Sequence, residues 1–442
     1  NFENSKLIIA IANPRIEYEG VLGADGNIIG NFKQSGQSFP MNLSKGKVEK
    51  EIIKRPQEPK KPYSYYTEDV VFENKVENIT LAGTLSLPTK EGFFPAVILI
   101  SGSGAQNRDE ELLGHKPFLV IADYLTKNGI AVLRFDDRGT AMSKGNYTTA
   151  TTLDFASDVE AAVQYLLTRK EIDQKKIGLI GHSEGGIIAP MVAAKSKKVS
   201  FIILLAGTGI PGDELLLLQQ ELIGKASGIS DEDLKKTKST NSEVFEMVKK
   251  AKNSDQLNVD ITEYITKSLK LDSKAKIPDG ITESEYIAMQ MSQITSPWMQ
   301  FFIKYNPALV LEKVKCPVLI IPEEASFKPP KEIAFPTDYH IFYQPIILNN
   351  ISEFTEMHHS SVRILHIAKK DETLTTFQKE NKHYLQDYFS EEKHSFHRIT
   401  NKNIEDGVQC FVESRNIDII IISNYQDDSH VQSMTDYYHD TF

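Results

Sequence analysis

Five residues constrain this chain more than any others. Gly181-His182-Ser183-Glu184-Gly185 directly follows the strand-like run Lys175-Lys176-Ile177-Gly178-Leu179-Ile180. A serine between two such glycines, with a strand before it and a helix after it, fits a nucleophile elbow. The turn is so sharp that side chains at the glycine positions would collide with the neighbouring strand and helix, and the serine itself takes a strained backbone. That strain lifts the hydroxyl clear of the sheet, at the positive end of a helix dipole. The helix candidate over 185–194 is small and apolar, as a helix packed tightly on a sheet must be. An ordinary tight turn is the competing reading; the flanking strand and helix favour the elbow.

At 442 residues the chain exceeds one ordinary domain, and two or three are expected. The balance of 60 Asp and Glu against 50 Lys and Arg gives a nucleic-acid surface no support. No apolar run is long enough to span a bilayer. Cys316 and Cys410 lie far apart, each beside apolar residues, so buried free thiols are expected in place of a disulfide or a zinc site. No metal or cofactor is called for. The chain opens on Asn1, with no initiator Met and no export signal, and it starts abruptly in strand-like sequence over 6–11. A fragment is the expectation.

Three segments follow. Residues 1–50 read as a small β-rich segment, with a hairpin across Ala24-Asp25-Gly26-Asn27 signalled by the Asp-Gly pair. Residues 51–66 are a charged linker containing Pro56, Pro59 and Pro62. From 67 to 321 strands and helices alternate, arguing a parallel sheet with helices on both faces. Its apolar strands fit burial on both sides. Helical, lysine-rich and acidic sequence across about 211–300 interrupts the alternation and reads as a lid, with a helical subdomain remote from any site as the alternative. Residues 322–331 form a second linker, and 332–442 a further α/β unit.

Three motifs carry a family resemblance: Ser101-Gly102-Ser103-Gly104-Ala105-Gln106-Asn107-Arg108-Asp109, Phe135-Asp136-Asp137-Arg138-Gly139, and Gly181-His182-Ser183-Glu184-Gly185-Gly186. They resemble the α/β-hydrolase superfamily, more narrowly bacterial secreted esterases with acyl-peptidase and aminopeptidase relatives. The resemblance implies Ser183 as nucleophile and an oxyanion hole made by the N–H of Glu184 and one from Ser103 or Gly104. Residues 136–139 are expected to brace loops by ion pairing. His182 is read as loop packing, and His115 as structural.

A serine nucleophile needs a histidine base and a carboxylate to orient it. In the superfamily the acid follows the strand after the lid, and the histidine follows the next strand. Here that acid loop reads Pro322-Glu323-Glu324-Ala325-Ser326-Phe327-Lys328-Pro329-Pro330, and no histidine stands between His182 and His340. Glu323 or Glu324 as acid and His340 as base complete a triad on paper. The connection between them is short for a parallel crossover and holds three prolines, which argues against it.

The third segment alternates strand at 332–338, helix at 342–357, strand at 362–368, helix at 374–389, strand at 395–399, helix at 404–414 and strand at 417–422. It resembles the universal stress protein family, small doubly wound α/β units, with Asp338 at the first strand end as the best single match. The resemblance implies a phosphate loop at Ser423-Asn424-Tyr425-Gln426-Asp427-Asp428, which lacks glycine and adds two carboxylates, so ATP is disfavoured. The unit reads as truncated before the family's last strand. His366 is a core or edge residue. A crossover between the two families is expected near Cys316.

The expected fold is therefore an α/β-hydrolase sheet with helical lid, plus a C-terminal universal-stress-protein-like α/β domain and a small N-terminal β-rich segment. The expected activity is hydrolysis of a small acyl ester through an acyl-enzyme on Ser183, weak or absent where the acid and histidine are missing. A non-catalytic stress-response or binding fusion and a serine peptidase acting on peptide substrates are the rivals. The hydrolase half implies an exported protein and the stress-protein half a cytoplasmic one; the oligomeric state stays open.

Overall fold

The computed structural model describes residues 2–3, 5–11, 16–34, 37–45, 55–271, 277, 282–321, 328–340, 343, 345–370 and 372–421. The chain divides into two units, Asn1–Pro56 and Gln57–Phe442. In the first, strands β1 (Phe2–Glu3), β2 (Lys6–Ile11), β3 (Ile16–Leu22), β4 (Ile28–Gln34) and β5 (Gln37–Pro40) pair antiparallel in sequence order. The β3–β4 turn closes at Leu22 opposite Ile28. Gly26 takes φ 81° there, a conformation glycine adopts without a steric penalty. Asp25 Oδ1 accepts the Asn27 N–H at 3.1 Å.

The second unit opens with β6 (Tyr66–Asn74), β7 (Ile79–Leu87), β8 (Phe94–Ile100), α1 (Pro117–Lys127), β9 (Ala131–Phe135), α2 (Thr152–Leu167), β10 (Ile172–His182), α3 (Gly185–Lys195) and β11 (Phe201–Leu205). Helices α4 (Gly212–Ala226), α5 (Asp231–Lys250), α6 (Ser254–Leu271), α7 (Glu283–Ile294), α8 (Pro297–Lys304) and α9 (Ala308–Leu311) lead to β12 (Val318–Ile321). The sheet order is β12-β11-β10-β8-β9-β7-β6. Strands β8 to β12 run parallel to their neighbours, while β6 and β7 add an antiparallel edge.

Alternation along each strand sorts the core onto two faces. Ile98, Ile100, Leu133 and Leu179 pack with Val159, Val163, Ile188 and Val192 of α2 and α3. Val97, Leu99, Val132 and Ile180 pack with Phe118 and Ala122 of α1. Every residue of β9 is buried, as a strand covered on both faces requires. At the opposite edge, β12 pairs with β11 on one side only among the described residues, leaving Val318 and Leu319 more than a third exposed. The α4–α8 segment has its own small core of Val244, Phe245, Val248, Leu257, Ile261 and Ile303. No helix among the described residues is long and apolar enough to cross a membrane.

Among the described residues after β12 lies a separate sheet of four strands. It contains β13 (Glu332–Pro336), α10 (Pro345–His358), β14 (Ser361–Ala368), α11 (Thr376–Tyr388), β15 (His394–Thr400), α12 (Ile404–Arg415) and β16 (Ile419–Ile420). Its strands are parallel, in the order β15-β14-β13-β16. One expectation is corrected here. Both cysteines are free thiols, but Cys410 is exposed and Cys316 only half-buried. Helical period explains Cys410: α12 turns Val408 and Phe411 inward against β13 and β14, which puts Cys410 on the outer face.

Leu133 is fully buried at the centre of the larger core. Leu133→Ala should cost about 2–5 kcal/mol by lost transfer energy and a residual cavity, read as a lower urea midpoint at unchanged slope.

Candidate active site

Strand β10 ends at His182 and α3 begins at Gly185, so Ser183 and Glu184 make the whole turn between them. Ser183 sits at φ 52°. That region costs a non-glycine residue about 1–3 kcal/mol and persists only where the surroundings fix it. Here they do. A Cβ on Gly181 would lie 2.0 Å from the Gly185 carbonyl oxygen, one on Gly185 2.2 Å from the Ile100 carbonyl oxygen, and one on Gly186 2.6 Å from Gly207 Cα. The Ser183 N–H donates to the Leu205 carbonyl at 2.9 Å, and its own carbonyl accepts the Gly186 N–H at 2.8 Å.

The loop over residues 101–106 leaves β8 beside this turn. A Cβ on Gly102 would meet Ser183 Cβ at 3.2 Å, His182 Nδ1 at 3.3 Å and Glu110 Oε1 at 3.4 Å. The Gly102 N–H donates to Glu110 Oε1 at 2.7 Å. Gly104 stands at φ 111°. Among the described residues the N–H groups of Ser103 and Glu184 have no acceptor.

Five carboxylates surround the loop and divide by partner. Burial pushes the Asp136 carboxyl up, but Arg108, bonded at 2.7 and 3.0 Å, outweighs it and holds the group below the usual range. Burial raises Asp158 despite Arg138, whose Nε lies 2.7 Å away. Glu110 is buried, stands at φ 50° and also holds His182 Nδ1 at 2.8 Å. Asp137 and Glu184 have no ion pair among the described residues. Burial pushes Asp137 up to about 7, against the donors Ser101 Oγ at 2.7 Å and Gln106 N–H at 2.9 Å, while nearby Glu184 and Asp158 add to the rise. Burial also raises Glu184, against donation from Thr152 Oγ1 at 2.7 Å and Trp298 Nε1 at 2.8 Å.

Ser183, Glu184, Ser103 and Gly104 thus lie in one place. No histidine among the described residues hydrogen-bonds Ser183 Oγ. His340 follows β13, half exposed, with Nδ1 3.2 Å from Asp338 Oδ2 and 3.1 Å from Gln378 Nε2. Glu323 and Glu324 lie outside the described residues, as does 423–428. His115 is exposed and its backbone pairs with Leu112. Sequence reasoning missed Glu110, Thr152 and Trp298. Trp298 was discoverable as the sole tryptophan of the chain, placed at the end of the inserted helices.

Residues 82–222 match the dienelactone hydrolase family, and residues 158–293 match the C-terminal family of BAAT and acyl-CoA thioester hydrolases. With the sheet order and the elbow, these matches decide the fold. The sheet of β6 to β12 has the α/β-hydrolase fold. Esterase EstD of Thermotoga maritima is 32% identical to this chain over 171 residues, 38% of the chain and 40% of the esterase. The match therefore spans less than half of that relative. An uncharacterized 31.7 kDa protein from the traX-finO intergenic region of Escherichia coli is 26% identical over 216 residues, 48% of this chain and 68% of that protein. The solved Pyrococcus furiosus esterase Pf2001 aligns over 75% of this chain and 92% of its own, at 15% identity and a TM-score of 0.35.

Asp137 makes stability depend on pH. Its folded value near 7 lies above the unfolded value of about 3.9, so between them the folded state holds a proton that the unfolded state releases. Its contribution to stability therefore falls as pH rises from about 4 to about 7 and stays lost above. Asp137→Asn can keep both hydrogen bonds, donating to Ser101 Oγ and accepting from Gln106 N–H. The stability difference between variant and wild type should grow in the variant's favour by a few kcal/mol across that window, followed by urea unfolding at each end. A difference that does not change with pH would refute this.

Proposed function

We propose that the α/β-hydrolase domain hydrolyses small carboxylic esters through an acyl-enzyme on Ser183 Oγ. The observation that carries this reading is Ser183 at φ 52° in a turn that only Gly181 and Gly185 can accommodate. Ser183 Oγ attacks the ester carbonyl as its proton passes to solvent water, and the carbonyl electron pair moves to oxygen. Collapse breaks the ester C–O bond to expel an alkoxide that takes a proton from solvent. A second water then attacks the acyl-enzyme, breaks the Oγ–acyl bond and releases the acid. The oxyanion faces the Glu184 N–H and the Ser103 N–H. The Gly104 N–H is the alternative to that of Ser103. The 32% identity to an esterase supports the substrate class.

The proton of Ser183 Oγ has no histidine acceptor among the described residues. Turnover is accordingly slow, with oxyanion stabilisation and binding supplying about 10³–10⁴ over water. The same observation favours a second reading, in which the elbow survives as a scaffold without turnover. The C-terminal sheet we read as a universal-stress-protein-like domain. Its parallel order β15-β14-β13-β16 and Asp338 at the end of β13 support this.

The test is hydrolysis of p-nitrophenyl butyrate and labelling by a fluorophosphonate, with wild type, Ser183→Ala and His340→Ala. Slow hydrolysis and labelling are expected in the wild type, neither in Ser183→Ala, and wild-type values in His340→Ala. Equal turnover in wild type and Ser183→Ala would sink the ester-hydrolase reading. A fall in His340→Ala to the Ser183→Ala level would assign the base to the C-terminal segment.

A further inference from the structure

Glu110 is buried and strained, at φ 50°. Such a conformation persists only where its surroundings over-determine it. Here the chain around it is pinned. The Glu110 N–H donates to the Asn107 carbonyl at 2.8 Å, and Asn107 Oδ1 accepts the N–H groups of Asp109 and Glu111 at 3.0 and 3.3 Å. Arg108 is bound to Asp136 just after β9, and Asp109 to Arg134 within β9. Residues 107–110 therefore form an arm fixed to β9 that aims one carboxylate at the neighbouring strand ends.

A single oxygen of that carboxylate, Oε1, serves both neighbours. It accepts the Gly102 N–H after β8 at 2.7 Å and meets Nδ1 of His182, the last residue of β10, at 2.8 Å. An ionised carboxylate only accepts, so this contact requires the His182 ring to carry its proton on Nδ1. One donor is the residue before Ser183 and the other the residue before Ser103.

We infer that Glu110 is a positioning residue: its carboxylate clasps the 101–106 loop to the elbow and so fixes the distance between Ser183 Oγ and the Ser103 N–H. The role rests on the ester-hydrolase reading, since without an oxyanion that distance has no chemical consequence. The clasp acts through acceptor geometry. Glutamine keeps an oxygen able to accept from both donors, whereas alanine removes the shared acceptor and releases the loop from the elbow.

The full-length protein, with its histidines labelled with ¹⁵N, is compared as wild type, Glu110→Gln and Glu110→Ala at about pH 9, where histidine is neutral. The His182 resonances are those lost in His182→Gln. The tautomer follows the hydrogen bond that the ring makes. His182 should therefore carry its proton on Nδ1 in wild type and Glu110→Gln, and return in Glu110→Ala to the Nε2–H form that a free imidazole favours. In the same samples a fluorophosphonate is titrated, and its inactivation rate kinact is separated from its affinity KI. Glu110→Ala should lower kinact about tenfold to a hundredfold with KI within about threefold, and Glu110→Gln should recover kinact to within about threefold of wild type.

A wild-type His182 protonated on Nε2, an unchanged kinact in Glu110→Ala, or a kinact in Glu110→Gln as low as in Glu110→Ala would each overturn the clasp. The wild-type tautomer decides the matter even where Glu110→Ala does not fold. A Glu110-dependent tautomer in a chain that the fluorophosphonate does not label would support the clasp and count against the ester-hydrolase reading alone.

Discussion

Three backbone contacts at the end of β10 set the terms for the hydrolase domain. Gly181 lies against Gly185, Gly185 against the end of β8, and Gly186 against Gly207 after β11, each closer than a methyl group would allow. These approaches draw the elbow, the 101–106 loop and the turn after β11 to one point. The strain at Ser183 is sustained because the sheet around it is buried on both faces and cannot relax. The site's geometry is thus a by-product of close packing between backbones, with the side chains filling what remains.

Electrostatics supplies the second layer. Arg108 pairs with Asp136 and ties its loop to the end of β9, while Arg138 pairs with Asp158 and ties the loop after β9 to helix α2. Asp137 and Glu184 are buried with hydrogen-bond donors alone, which satisfy their oxygens without cancelling their charge. A low-dielectric site with two such groups resists gaining another negative charge. The proposed oxyanion would need N–H groups close enough to outweigh the carboxylates beneath it.

Much of this was legible in the sequence because it depends on local, directional requirements. The two glycines around Ser183, the alternating apolar strands and the Asp25-Gly26 turn each follow from backbone sterics or side-chain period. What escaped depends on contacts between residues far apart in the chain. Glu110 reaches His182 across 72 positions, and Trp298 reaches Glu184 across 114. No spacing rule marks such pairs. Cys410 was misplaced for a related reason: its neighbours in sequence are apolar, but the helix turns them to the opposite side.

Strand β12 is parallel to β11 and has no outer neighbour among the described residues, where Val318 and Leu319 are more than a third exposed. Parallel strands are ordinarily shielded by helices and further strands. An open parallel edge is a template for any extended segment that reaches it. Left uncovered, this rim would accept an extended segment by strand addition with no change in the fold.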